Sequence, residues 1–276
     1  MRKPVVNIAV QAARAAGKVI LRSLSKRDSI KIEEKSRMDF TTNVDRQSEL
    51  EIIKELRRAY PDHAILAEES GMQQPKSASE ARYTWVVDPL DGTSNFTRGY
   101  PHFAISIGLL DQGVPIAGVI YNPLSEELYT AYKGSGAFIN DNRMRIGQRS
   151  GVTGALIGTG FSPRTRDRLP LQQRIVTRLL DDAEDLRRSG SAALDLCYVA
   201  NARMDGFFEM GLKPWDIAAG VLMVREAGGI CLDFNGAEQY LASGNVIAGN
   251  LKVCAQMVSR IQSTMKSVAE AKASEA

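Results

Sequence analysis

The feature that most constrains this chain is an apolar strand over residues 84–87 that runs directly into Asp88-Pro89-Leu90-Asp91-Gly92-Thr93. A sheet that ends this way delivers two carboxylates, three positions apart, onto one short turn. Proline fixes φ and glycine permits a close backbone approach, so both acids are held facing one point. Converging oxygens suit a hard cation such as Mg²⁺, and the Leu90 carbonyl offers a third donor. A helical turn starting after Asp91 would aim the Gly92 and Thr93 amides at the same place, where a phosphate oxygen fits. Taken alone, the segment reads equally well as an ordinary turn, because Asp-Pro and Asp-Gly are frequent turn residues.

The flanking pattern places this strand in an α+β half. Asn7, Gln11, Arg14, Lys18 and Arg22 recur at steps of three and four, with Ile8, Ala12, Ala16, Val19 and Ile20 opposite, which predicts an amphipathic helix. A second helix begins at Thr42, whose spacing to Asp45 fits a capping box, and stops at Tyr60 before Pro61. Residues 31–40 between them read as strand or loop. Short apolar runs at 64–66, 85–87, 103–110, 114–121 and 128–132 read as strands, with a hairpin at Asp111-Gln112-Gly113.

Asn140-Asp141-Asn142 breaks this pattern and sets a boundary near residue 148. It divides an α+β subdomain, 1–148, carrying most of the metal-ligand candidates, from an α/β subdomain, 149–276, carrying Asp216 and the substrate contacts. In the second half, strands at 155–159, near 185, and at 206–209, 230–234 and 246–248 alternate with helices at 171–180, 192–202 and 215–227. Gly228-Gly229 closes the helix at 215–227 with left-handed conformations, and a final helix spans about 251–269 before a frayed end.

Several function classes are disfavoured. A net charge of +3 from 35 basic and 32 acidic residues predicts no polyanion partner, and Arg164, Arg166 and Arg168 read as a solvated loop. Cys197, Cys231 and Cys254 are odd in number and set among apolar neighbours, as reduced core thiols of a cytoplasmic protein would be. Arg2 and Lys3 open the chain as in a secretory signal, but Asn7, Gln11 and Arg14 interrupt the apolar stretch. No segment approaches the roughly 18 apolar residues of a membrane-spanning helix. The two histidines, His63 and His102, read as structural, and no Cys-His or Gly-x-Ser-x-Gly arrangement argues for covalent catalysis.

Further acids fall at the ends of elements. Glu68 and Glu69 close a short strand, Asp216 follows Trp215 at a helix start, and Asp45 lies in a helix's first turn. Each has a plain reading, as an exposed acid, a helix-dipole contact or a cap. Their coincidence with Asp88 and Asp91, at element ends where side chains converge in α/β folds, points to one shared site. Trp85-Val86-Val87-Asp88-Pro89-Leu90-Asp91-Gly92-Thr93-Ser94-Asn95-Phe96, followed by Gly99-Tyr100-Pro101, resembles the first signature of the inositol monophosphatase family. Trp215-Asp216-Ile217-Ala218-Ala219-Gly220, with Glu226-Ala227-Gly228-Gly229, resembles the second. Ala67-Glu68-Glu69-Ser70 and Thr42-Asn43-Val44-Asp45 resemble its two shorter acidic segments. The similarity covers nearly the whole chain and is nearest to the bacterial inositol-1-monophosphatase branch.

The resemblance implies a layered αβαβα fold of the inositol monophosphatase and fructose-1,6-bisphosphatase type, with the site between the halves. It implies Mg²⁺-dependent hydrolysis of myo-inositol monophosphate by a metal-activated water, with two or three ions per site. Glu68, Asp88 and the Leu90 carbonyl would hold one ion, Asp88, Asp91 and Asp216 a second, and Glu68 a third, looser one. Thr93 and Asp45 would orient and activate the water, with Glu68 beside them among the catalytic residues. The Gly92 and Thr93 amides would hold phosphate; Asp91, Gly190, Ser191, Ala192 and Glu209 would contact the substrate; Lys35 would lie near the metals. Lithium inhibition, a homodimer and an association with the transcription machinery, through residues 164–168 or the last helix, are also implied. Ala67 stands where the family has Gly, and Ser94 and Ser191 where it has Thr; these small-for-small changes bear on substrate preference. Fructose 1,6-bisphosphate, histidinol phosphate and a 3′-phosphonucleotide are the alternative substrates.

Overall fold

In a computed structural model, residues 2–75 and 81–274 are described. The first helix, α1 (Pro4–Leu24), starts on a proline, where the missing amide costs nothing, and buries Val6, Ala9, Ala13, Ala16 and Ile20 along one stripe. Residues 31–40 resolve into a hairpin, β1 (Ile32–Ser36) and β2 (Asp39–Thr42). Helix α2 (Asn43–Ala59) follows with the expected capping box: Thr42 Oγ1 accepts from the Val44 and Asp45 amides, and Asp45 accepts the Thr42 amide at 2.9 Å.

An eight-stranded sheet comes next, from β3 (Ala64–Ala67), β4 (Gly71–Gln73) and β5 (Tyr83–Asp91), then, after the short helix α3 (Thr93–Arg98), β6 (Ala104–Asp111), β7 (Val114–Asn122), β8 (Glu127–Tyr132), β9 (Gly136–Ile139) and β10 (Asn142–Arg143). Its order is β10-β9-β8-β7-β6-β5-β3-β4, antiparallel except for the parallel pair β3–β5. The remaining elements are β11 (Leu156–Thr159), α4 (Leu169–Leu180), β12 (Asp185–Arg187), α5 (Ala192–Ala200), β13 (Gly206–Glu209), α6 (Pro214–Glu226), β14 (Ile230–Leu232), α7 (Tyr240–Ser243), β15 (Val246–Gly249) and α8 (Leu251–Ser274). The five strands form a second sheet, β12-β11-β13-β15-β14, with β11 parallel to both of its neighbours.

The layers follow from how much of each helix is apolar. One-sided α1 packs with α2 against the first sheet. Helix α6 is apolar almost all round, with residues 216–224 buried, because it lies between the sheets. With α5 it forms the middle layer, while α4 and α8 cover the far face of the second sheet. This is the expected αβαβα order. Close approach of α6 depends on Gly118 in β7, where a Cβ would stand 3.1 Å from the Ala219 backbone. The last strand of the first sheet ends at Arg143 and the first of the second begins at Leu156, with residue 148 between them.

Four readings change. β5 continues through Pro89 to Asp91 instead of leaving the sheet at Val87; a bulge between Asp88 and Asp91 absorbs the proline, which has no amide to pair. Asn140 and Asp141 both take positive φ, 44° and 66°, and so turn a β9–β10 hairpin where the pattern had suggested only a break. Helix α8 runs on to Ser274, carried by good helix formers and a Lys266–Glu270 pair one turn apart. Residues 163–168 form a 3₁₀ turn, and not all of it is a solvated loop, as described below. All three cysteines are buried and unbridged. No helix among the described residues is long and apolar enough to cross a membrane.

Candidate active site

The parallel register of β3 and β5 sets Ala67 opposite Val87, so the next residues, Glu68 and Asp88, leave the sheet side by side, with the Glu68 amide donating to the Val87 carbonyl at 3.1 Å. Asp88 is 2 % exposed, and its Oδ1 accepts the Leu90 amide at 3.0 Å. The Pro89 carbonyl is held by the Ser48 hydroxyl of α2 at 2.8 Å, which pins the bulge. Gly92 then takes φ +95° and caps α3; a Cβ there would meet the His102 carbonyl at 2.9 Å, so only glycine fits without strain. Its position leaves the first amides of α3 without partners inside the helix.

The second half supplies acids through helix starts. Asp216 lies in the first turn of α6, where its Oδ2 accepts the Lys213 amide at 2.7 Å. Asp91 reaches the N-terminus of α5: its Oδ2 accepts from Ser191 Oγ at 2.7 Å and from the Ala193 amide at 2.8 Å. Glu209 ends β13 and is 8 % exposed. Glu68, Asp88, Leu90, Asp91, Gly92, Thr93, Gly190, Ser191, Ala192, Glu209 and Asp216 all line one cavity of about 430 Å³. Asp45 and Lys35 stand just behind the wall. Thr93 Oγ1 lies 2.9 Å from Asp45 Oδ1 and 3.0 Å from the Leu90 carbonyl, and its single proton can serve only one of them. Lys35 donates to Glu68 at 3.1 Å and also to Glu69.

Electrostatics mark this as a cluster of buried, mutually repelling acids. Burial pushes Asp45 up to about 6, against the lowering effect of the Thr42 and Thr93 hydroxyls. Burial takes Glu68 to about 7, with Lys35 opposing and the Asp216 and Glu69 charges adding. Asp88 is driven well above the carboxylate range by burial and by Glu68, Asp91 and Asp216. Asp91 and Asp216 rise to about 6, again through burial first. Glu209 is driven well above the carboxylate range by burial and by Asp216, Asp195 and Asp91, and among the described residues no hydrogen-bond donor reaches its carboxylate. Among the described residues no three such side chains close into a coordination shell; Lys35 and Arg164 instead draw Glu68 and Asp216 towards themselves. The donor chemistry still fits a hard divalent cation, since the donors are all oxygens and the four acids repel one another around a shared space.

Comparison with known proteins gives the family. The model of the inositol monophosphatase family matches residues 1–267. The chain belongs to the inositol monophosphatase family. It is 51% identical over 259 residues to a protein of Xylella fastidiosa named Nus factor SuhB, covering 92% of both chains. The crystal structure of the extragenic suppressor protein suhB from Bartonella henselae superposes with a TM-score of 0.89 at 39% identity, covering 94% of this chain and 98% of that one. The inositol monophosphatase of Anabaena gives 0.83 at 35% identity, covering 94% and 95%.

Three residues of the cavity escaped the sequence reading of this family member. Arg164, read as solvated, turns inward and donates to Asp216 Oδ2 at 2.8 Å. Asp195 is 1 % exposed, lines the cavity and is raised to about 7, by burial first. Its signal was available, as the one charge in an otherwise apolar helix. Asn95 donates to the His102 carbonyl at 2.7 Å and to the Ser189 carbonyl at 2.9 Å, tying α3 to the loop before α5. Of the histidines, His63 stacks on Tyr60 far from the cavity, whereas His102 approaches Asp195 at 3.8 Å.

Proposed function

We propose that this protein is a Mg²⁺-dependent phosphatase that hydrolyses myo-inositol monophosphate to inositol and phosphate. The observation carrying the reading is one cavity walled by Glu68, Asp88, Asp91, Asp216 and Leu90 with the Thr93–Asp45 pair at its edge. Glu68, Asp88 and the Leu90 carbonyl would hold one Mg²⁺; Asp88, Asp91 and Asp216 would hold a second, and Glu68 would share in a looser third. Bound there, the ions would neutralise the phosphate oxygens and lower the pKa of water.

The chain's own residues do the rest. With the Leu90 carbonyl engaged as a ligand, the Thr93 proton goes to Asp45, and the Thr93 lone pairs face the cavity to take a proton from the attacking water. Asp45, raised to about 6, is a stronger base than an ordinary aspartate and is still ionised at neutral pH. The unpartnered Gly92 and Thr93 amides hold phosphate oxygens. Glu209, which has no donor among the described residues, accepts from a substrate hydroxyl, and Asp91, Gly190, Ser191 and Ala192 complete that wall. Ser191, smaller than the family's threonine, leaves room for related sugar and nucleotide monoesters as alternatives. Phosphate release across inositol, sugar and nucleotide monophosphates, with Mg²⁺ and with added Li⁺, tests the reading. Absence of metal-stimulated release from every ester would overturn it.

A second role is favoured by the name Nus factor carried by the Xylella relative: association with the transcription machinery by a cytoplasmic homodimer. Arg168, which is exposed and does not line the cavity, and α8 are the surfaces that remain for it. Pull-down with RNA polymerase and elongation factors tests this role, and no retained partner counts against it.

A further inference from the structure

Arg164 has no part in the chemistry above, yet it sits on one of the proposed ligands. Four arginines, Arg98, Arg164, Arg166 and Arg188, line the cavity, and Arg164 alone is in a direct ion pair with an acid. Its guanidinium and the Lys213 amide both fall on Asp216 Oδ2, and among the described residues no donor reaches Oδ1. The carboxylate is therefore half-engaged, with its positive partner supplied by a side chain.

The segment that brings this charge is a surface turn anchored at Thr165, which is buried and bonded to Met210 and Gln172, so that only the Arg164 side chain is free to move. Arg164 stands in the short 3₁₀ turn Pro163–Arg168, which is interrupted at Thr165, where φ −124° and ψ 29° leave helical geometry. Among the described residues its other side-chain hydrogen bond is to Ser162 Oγ, at 3.3 Å, and its charge also acts on Asp91; the side chain is 26% exposed against 9% for Asp216. The acid is fixed by α6, while the base reaches it from a surface turn. A divalent cation on Asp216 would set two positive charges beside the one of the guanidinium, and their repulsion opposes keeping the guanidinium on the same carboxylate. A displaced guanidinium stays charged, because arginine does not deprotonate, and its planar fork matches phosphate oxygens.

We propose that Arg164 is an exchangeable counter-ion, which neutralises Asp216 before the divalent cation binds and then passes to an oxygen of the bound phosphate. The proposal rests on the metal-dependent phosphatase reading. A fixed salt bridge that only braces the start of α6 would behave differently, since its loss would loosen Asp216 and weaken every ligand.

The test is isothermal titration of the full-length protein with Mg²⁺ alone, and then of the Mg²⁺-saturated protein with inorganic phosphate, for wild type, R164A and R164K. R164A should bind Mg²⁺ roughly three- to tenfold more tightly, because a competing ion pair of modest strength is gone. It should bind phosphate about tenfold more weakly, having lost a charge-assisted bond. R164K, which keeps the charge without the fork, should fall between on both measures. Any pattern other than these opposite shifts, including a joint fall or no change, overturns the exchange while leaving the phosphatase reading in place. Wild type that binds neither Mg²⁺ nor phosphate overturns both.

Discussion

The two sheets meet the cavity in different ways. At the first, Asp88, Leu90 and Asp91 come from the bulged end of one strand, and the backbone itself fixes them through the bulge, the Ser48 bond to Pro89 and the left-handed Gly92. At the second, Glu209 ends a strand, Ser191 and Asp216 begin two helices, and Arg164 arrives from a surface turn. One side is a rigid comb of oxygens; the other is assembled from pieces that can shift separately. The difference teaches that the first sheet should decide whether chemistry occurs and the second how tightly its ligands are held.

Asp88→Asn should therefore have the largest effect, a loss of at least about a thousandfold in kcat with an unchanged melting temperature, because it removes charge at the centre of the repelling acids. Asp216→Asn should cost about tenfold less in phosphate release; equal losses would break the comparison. Next, Thr93→Val or Asp45→Asn should slow turnover by about a hundred- to a thousandfold, the range for lost general-base assistance. Wild-type rate should fall as pH drops through about 6, where Asp45 takes up a proton, and that limb should disappear in Asp45→Asn.

A change between the sheets tests how the pieces are carried. Gly118→Val would force α6 away from β7 and cost about 1–3 kcal/mol in a urea melt, as overpacking does. Because α6 carries Asp216, its Mg²⁺ affinity should also fall, whereas Ser191→Ala, which removes a hydrogen bond to Asp91, should cost only about 1 kcal/mol.

The smallest effect is on the metal-free protein as a function of pH. Glu68 at about 7 and Asp91 and Asp216 at about 6 all lie above ordinary carboxylates, so the folded state binds more protons than the unfolded one. Stability should then increase as pH is lowered from about 7.5 to about 5.5, and the slope should flatten when Mg²⁺ is added. A melting temperature that falls over that window without metal would show that Lys35 and Arg164 already satisfy the acids.

Legibility differed between the halves for the same reason. The capping box of Thr42 and Asp45 and the hairpin at Asp111-Gln112-Gly113 were readable, because each depends on residues within three or four positions. The continuation of β5 past Pro89 was not, since a bulge is set by the partner strand β6. Asn140 and Asp141 were read as a break because the same residues serve loops and tight hairpin turns, and only the β9 partner tells them apart.

Most of the longer elements, the acids at their ends and the family could be read from the sequence, because periodicity, capping and turn chemistry are local and the signatures are contiguous; the short β4, β9, β10 and α7 could not. Tertiary structure settles that Ser191 holds Asp91 from 100 residues away and that Arg164, still partly exposed, pairs with Asp216, 52 positions on. Such pairings depend on how two sheets pack about α5 and α6, and the packing of distant surfaces leaves no periodic trace along the chain.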